Sequence, residues 1–287
     1  MSQKYKTRGI ILKGSSLKEN DRLVTVLTAD CGVIRAVAPG AKKHKSSLRG
    51  RTQLFVVNDL LIIKGKSLDK LIQADTIYTY PGLSKDLGKL ASAQYLAELS
   101  LFLAVDSQPQ PELYELLNEH LRRIENTQKN ESIYPYLAQA VFHLIAIAGL
   151  SPQVFNCCLT QKNIAPDLAA VGTTVGFSFE GGGIIDLAAF QTARQRNRED
   201  RSEDLEARYN NRLPKIDDRL GAIELAILQQ LNLHSLPKGE FFSSENTNLA
   251  LEVAWIRVEK ILREYIQFYT GRTIRSANLV DNLYVEF

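Results

Sequence analysis

Residues 22–38 read RLVTVLTADCGVIRAVA. Arg22–Thr28 and Val33–Ala38 are runs rich in β-branched residues, and Asp30-Cys31-Gly32 between them has hairpin-turn composition, so the stretch predicts two antiparallel strands. Outward from it the pattern repeats. Tyr5–Lys13 (YKTRGIILK) precedes it, and Leu54–Ile63 and Leu68–Tyr78 follow, the last two separated by the turn Lys64-Gly65-Lys66-Ser67. Five short strands joined mostly by hairpins remove their exposed edges by curling into a small barrel of the OB type. The expected fold is α+β: a five-stranded OB-type β-barrel over residues 1–80, then an α-helical domain over 81–287.

Beyond Pro81-Gly82 the apolar period lengthens to that of a helix. Leu83–Ala104 carries a stripe including Leu87, Leu90, Leu96 and Leu101; Pro111 opens a second helix lined by Leu113, Leu117, Leu121 and Ile124. Pro135–Ala148 is apolar nearly all round and stops at Gly149, which predicts a central core helix in which His143 is a packed residue. Residues 151–192, rich in Gly, Thr and Pro, predict an irregular insert, with Gly181-Gly182-Gly183 as a tight turn rather than a phosphate cradle. Residues 194–219 hold 8 basic and 7 acidic side chains, the composition of a solvated charged helix or linker. Asp217–Leu231 and Asn246–Tyr269 predict two closing helices.

The 287 residues are 45% hydrophobic and 23% charged, enough apolar surface for a real core. The amino terminus lacks an apolar signal core and no run is long enough to span a bilayer, so a cytosolic protein is expected. Three cysteines, two of them adjacent (Cys157, Cys158), make no disulfide framework. The net charge of +3 conceals an asymmetry: residues 1–80 hold 15 Lys/Arg against 6 Asp/Glu, while the other 207 hold 20 against 26. A cationic front end on a weakly acidic body points to a polyanion-binding module.

The sharpest local feature is Ala41–Arg51 (AKKHKSSLRGR), with Lys42, Lys43, Lys45, Arg49 and Arg51 and no acid. Between the third and fourth strands of an OB barrel, such a loop tracks phosphates. Arg8, Lys13, Arg22 and Arg35 extend the track wherever the pleat turns them outward. Phe55 is either a base-stacking ring or core. No Walker loop, G-x-S-x-G elbow, H-E-x-x-H or Rossmann fingerprint is present, the acid pairs Asp217-Asp218 and Glu199-Asp200 lie on charged segments, and His44, His120, His143 and His234 are scattered. The chain is therefore expected to be non-catalytic, with neither cofactor nor metal. A second class, an OB-fold RNA-binding or ribosome-assembly adaptor, fits the same barrel chemistry.

Several stretches, taken in order, carry a family likeness: Thr7-Arg8-Gly9-Ile10-Ile11-Leu12, Glu19-Asn20-Asp21-Arg22-Leu23, Ala38-Pro39-Gly40-Ala41, Ser46-Ser47-Leu48-Arg49-Gly50, Ala93-Gln94-Tyr95-Leu96-Ala97-Glu98-Leu99, Leu113-Tyr114-Glu115-Leu116-Leu117 and Ile274-Arg275-Ser276. With these the chain resembles the RecO family of bacterial recombination mediators along essentially its full length. The resemblance implies a protein that binds single- and double-stranded DNA, anneals complementary strands, contacts the acidic tail of the single-strand-binding protein, and works with RecR to load RecA at gaps. Arg122, Arg123, Arg272 and Arg275 are candidates for the tail-binding cation. Many family members have a four-cysteine zinc module after the position of Gly149-Leu150-Ser151-Pro152. Here only Cys157 falls on a ligand position, with Thr160, Asp186 and Ala189 at the other three. The departure implies a degenerate zinc-ribbon-like insert, packed through Phe155, Phe177, Phe179, Ile184 and Ile185, that binds no metal.

Overall fold

The computed structural model describes residues 3–106, 108–129, 131–168, 175–199, 212–236 and 247–284. It divides into two compact units, Met1–Ala148 with Arg272–Phe287, and Gly149–Gly271. Compactness thus groups the barrel with the first helices rather than parting the chain at residue 80.

In the first unit, β1 (Lys4–Ser16), β2 (Arg22–Thr28), β3 (Gly32–Ala38), β4 (Val57–Ile63) and β5 (Asp69–Tyr78) close into a barrel in the order β1-β2-β3-β5-β4. Every pairing is antiparallel except β3–β5, which is parallel through Ala36↔Asp69 and Val37↔Lys70. The long β1 serves both neighbours: Lys4–Ile10 pairs with β4 and Gly9–Ser16 with β2, with a bulge between Ile11 and Lys13 where the strand bends. The period-two pattern sends Ile11, Val24, Val26, Ile34, Leu60, Ile62 and Leu71 into a common core.

Two local expectations change here. The strand expected from Leu54 begins at Val57, because Phe55 takes a left-handed backbone (φ 63) that turns its ring into the interior, 5% exposed. Phe55 is therefore core and not a stacking ring. The basic stretch also contains a turn of helix, α1 (Leu48–Arg51), anchored because Leu48 is buried in the barrel core. Asn58, fully buried, ties the pieces together: its amide donates to Arg51 O (2.9 Å) and Val56 O (3.3 Å), and its carbonyl accepts from Thr76 Oγ1 (3.1 Å).

The expected helix at 83–104 is a 3-10 turn (Leu83–Lys85) followed by α2 (Leu87–Leu103). The break lies at Asp86, which is extended and caps α2 by accepting from Lys89 N at 2.9 Å. Next come α3 (Pro111–Asn126), with Pro at its start, and α4 (Tyr134–Ile147), which ends just before Gly149 at φ +75. His143 on α4 meets His120 on α3 ring to ring, its Nδ1 3.1 Å from His120 Nε2, a partner that separation in sequence concealed.

In the second unit the insert is more regular than expected. Strands β6 (Val175–Ser178) and β7 (Gly183–Asp186) form a hairpin about Gly181-Gly182-Gly183, and β8 (Asp218–Leu220) adds to the far side of β6. The helix expected from Asp217 thus begins as a strand, and only after Gly221 does α6 run (Ala222–Gln230), with Glu224 accepting from Gly221 N at 3.0 Å. Helices α5 (Leu187–Glu199) and α7 (Thr247–Thr270) complete the unit, and α8 (Ala277–Tyr284) returns to the first unit against α2. Phe177, Ile184 and Ile185 are fully buried, but Phe155 is 39% exposed and does not pack the insert. Of the charged stretch 194–219, residues 200–211 lie outside the described residues, as does Asn246. Asp217 and Asp218 are not solvated spares: Asp217 accepts from Phe179 N (2.8 Å) and Asp218 pairs with Arg257 (3.1 Å). Among the described residues no helix is long and apolar enough to cross a membrane.

Replacing Asn58 by Ala leaves Arg51 O without its amide donor and Thr76 Oγ1 without its acceptor, while Val56 O keeps its bond from Ile11 N (3.1 Å), and is expected to lower stability by about 1–3 kcal/mol, read as a fall in the urea midpoint with an unchanged slope.

Candidate nucleic-acid interface

The register sorts the barrel cations by face. Lys13 on β1 stands opposite Thr25 on β2, which stands opposite Arg35 on β3, so the three form one cross-strand row, and both cations are exposed. Two strand spacings place the Lys13 and Arg35 backbones about 10 Å apart. The next outward row is Ser15, Leu23, Val37 and, across the parallel closure, Lys70. The described positions of this face bear no aromatic side chain and no acid.

Beside it lies the basic loop. Gly40 N donates to Asp21 Oδ1 (2.8 Å) and Lys42 N to Asn20 O (3.0 Å), so the β1–β2 loop holds its base. Turns at Lys43 N→Gly40 O (3.0 Å) and Ser46 N→Lys43 O (3.1 Å) carry it to α1. Lys42, Lys43, Lys45 and Arg49 project as exposed side chains. Among the described residues, no ion pair involves them, Lys13 or Arg35.

The other three expected residues are engaged. Arg8 Nε lies 3.1 Å from Asp59 in the row Arg8–Asp59–Asp75, and that carboxylate raises the guanidinium pKa further. Arg51 donates to Ala74 O (2.5 Å) and lies 3.3 Å from Asp75. Arg22, half-buried, donates to Thr52 O (3.0 Å) and Thr52 Oγ1 (3.2 Å), bracing α1 against β2. The Arg8 side opens on a cleft of about 640 Å³ whose lining includes Asp30, Asp59, Asp75 and Glu115 against Lys6 and Arg8, an acidic surface that repels phosphate.

Lys70 belongs to the cationic face and Lys18 to the loop beside exposed Glu19, and neither stands out in the local sequence. Lys70 joins it through the parallel β3–β5 contact, which no local pattern announces; Lys18 is exposed in the β1–β2 loop that carries the Asn20 and Asp21 contacts. The helical arginines are dispersed. Arg122 lies over Tyr78 (5.8 Å) and Arg272 over Phe102 (5.5 Å), Arg275 is exposed, and Arg123 pairs with Glu119 and donates to Gln139 at 2.9 Å.

At the expected zinc positions, Asp186 N donates to Cys157 Sγ at 3.3 Å. Burial pushes this thiol up, but donors from the Thr160 side chain and from the Asp186, Thr160 and Leu159 amides outweigh it and leave the pKa lowered. Asp186 Oδ1 accepts from Ala188 N (2.8 Å) and Ala189 N (3.1 Å), so it caps α5. The positions of Cys157, Thr160, Asp186 and Ala189 are thus brought together, yet no group of three or more His, Cys, Asp or Glu among the described residues is placed to hold a metal.

Residues 1–80 match the family model described as Recombination protein O N terminal, and residues 84–203 match Recombination protein O C terminal. Relatives named DNA repair protein RecO include those of Gloeothece citriformis, 55% identical over 99% of this chain and 98% of the relative, and of Nostoc sp., 49% identical over 99% and 97%. The protein of that name from Synechocystis sp. is 43% identical over 99% and 98%.

If the unpaired cations are the ones that meet phosphate, joint replacement of Lys13 and Arg35 by Ala lowers the salt slope of polyanion binding by about 1.5–2, whereas Arg8→Ala changes it by less than about 0.5. Heparin or DNA titration at several salt concentrations reads this directly.

Proposed function

The chain belongs to the RecO family, a DNA repair and recombination protein, and from that premise we propose that it is a non-catalytic mediator that binds single- and double-stranded DNA by the sugar-phosphate chain and anneals complementary strands. The observation that carries this reading is the set Lys13, Arg35, Lys42, Lys43, Lys45 and Arg49, exposed on one face and the adjoining loop and in no ion pair among the described residues. Annealing requires phosphate repulsion to be screened while base edges stay available. A cationic sheet without aromatic rings meets both needs, because rings on that face would hold bases by stacking. We read the closed barrel as OB-type and residues 1–80 as the DNA-binding module. Arg8, Arg22 and Arg51 support it mainly by shaping the barrel.

The remaining residues, 81–287, are the protein-binding part on this reading. Arg122 over Tyr78, near the exposed Ile77, combines a cation with apolar surface, as the acidic tail of the single-strand-binding protein requires. Arg123, committed to Glu119 and Gln139, is the weakest of the four candidates. RecR is the direct co-mediator and RecA the recombinase loaded, in the cytoplasm at the nucleoid. The insert is a zinc-ribbon-like fold in which amide donors around Cys157 substitute for the metal's hold on the thiol.

Binding to single-stranded DNA is expected to fall with salt at a log-log slope of about −3 to −5, for about five to six phosphates, and a flat response contradicts the reading. Replacing Lys42, Lys43 and Lys45 together by Ala weakens binding to all sequences about equally. RNA of the same length bound much more tightly than DNA would favour the RNA-adaptor class instead. Annealing of oligonucleotides coated with single-strand-binding protein is expected to survive a chelator, and loss of activity with EDTA restored by zinc would refute the metal-free insert.

A further inference from the structure

The second unit carries an aromatic cluster that grades from buried to exposed. Phe177 is fully buried, with Phe179 and Tyr265 against it at ring-centroid distances of 6.0 and 5.8 Å. Phe268 lies 6.1 Å from Phe179 and is 55% exposed. Tyr269 is 4.8 Å from Tyr265, and its hydroxyl donates to Phe179 O at 3.0 Å, fixing the β6–β7 turn against α7. The outer rings, Phe179 and Phe268, wall a cleft of about 540 Å³ whose charged lining is Glu180, Glu264, Asp217 and Lys215.

The charges decide what such a cleft takes. Asp217 is 2.9 Å from Lys215 and accepts from Phe179 N, so that pair is balanced. Glu180 is exposed, and Glu264, half-buried, has a long contact to the mostly exposed Lys260 at 3.9 Å. Exposed rings alone would suit an unstacked base as well as a side chain. Two excess carboxylates beside them oppose the phosphates that accompany every base, and equally oppose an acidic tail. A guanidinium satisfies both features: it stacks on an aromatic face and pairs with a carboxylate at its edge. We infer that this cleft docks a basic, arginine-bearing segment of a partner protein, with an arginine stacked on Phe268 and paired with Glu264 or Glu180. The cleft shares no residue with the cationic barrel face, and the inference does not rest on the reading of that face.

The test uses the full chain and fluorescence anisotropy with three labelled probes: the peptide GLRLRLG, its twin GLELELG, and an oligothymidylate long enough to span the barrel face. The arginine peptide is expected to bind at low salt and the glutamate twin not to bind. Phe268→Ala, and separately Glu180→Gln with Glu264→Gln, are expected to weaken arginine-peptide binding about three- to tenfold, with the thermal melt little changed because Phe268 and Glu180 are exposed and Glu264→Gln is isosteric. Oligothymidylate binding at the barrel is expected to be unaffected by either change. The inference is overturned if the arginine peptide does not bind, if its affinity ignores both changes, or if Phe268→Ala instead weakens the oligothymidylate or the glutamate twin.

Discussion

The parallel contact of β3 with β5 closes the barrel through Ala36, Val37, Asp69 and Lys70. Because it is so short, its position must be fixed from elsewhere, and Asp69 does this. Its nearly buried carboxylate accepts from Tyr5 Oη at 2.5 Å and from Gly65 N at 3.0 Å, so the start of β5 is joined to β1 and to the β4–β5 turn. Burial and this carboxylate together push the Tyr5 hydroxyl well above its ordinary pKa, so the donor stays protonated. With the closure in place, alternate residues of every strand are committed to one side, and which cations face solvent follows from the pleat.

The outer surface of that barrel is divided by charge. On the β1-β2-β3 side, lysines and arginines neighbour threonine, serine and aliphatic residues. On the β1-β4-β5 side, the row Arg8–Asp59–Asp75 returns its charge to itself and Arg51 completes it from α1. Surface pairs of this kind add little to stability. Their effect is to neutralise two cations and to leave the neighbouring cleft acidic, so the positive potential of the barrel is concentrated on its other side.

Much of the barrel was legible because strand periodicity and turn composition are local signals: the β2–β3 hairpin was readable from seventeen residues. What was not legible depends on contacts between distant residues. Phe55 looks like the second residue of a strand, and only the pairing of Ile11 with Phe55 and Val56 explains its left-handed turn. Asp218-Arg219-Leu220 lacks any strand signature of its own and extends because β6 offers a free edge. The candidate site was legible as composition but not as geometry. Nothing in the local sequence distinguishes Arg22, spent on Thr52, from Arg35, exposed on the sheet; both sit on β-branched strands. The helical break at Asp86 was readable in principle, since Asp is a favoured capping residue, but the apolar stripe across 83–104 outweighed it.

The anchoring of the basic loop bears on how such a protein diverges. Gly40 and Lys42 are held by Asp21 and Asn20, and Leu48 is sunk in the interior, so both ends of the segment are fixed by parts of the barrel that tolerate little change. The arc Lys43–Ser47 between them is held by local turns, Lys43 N to Gly40 O and Ser46 N to Lys43 O, which use backbone groups and leave the side chains free to differ. Each lysine gained or lost there changes the local positive potential by one charge without touching the buried core that closes the barrel, so surface charge and folding are separable at this one place.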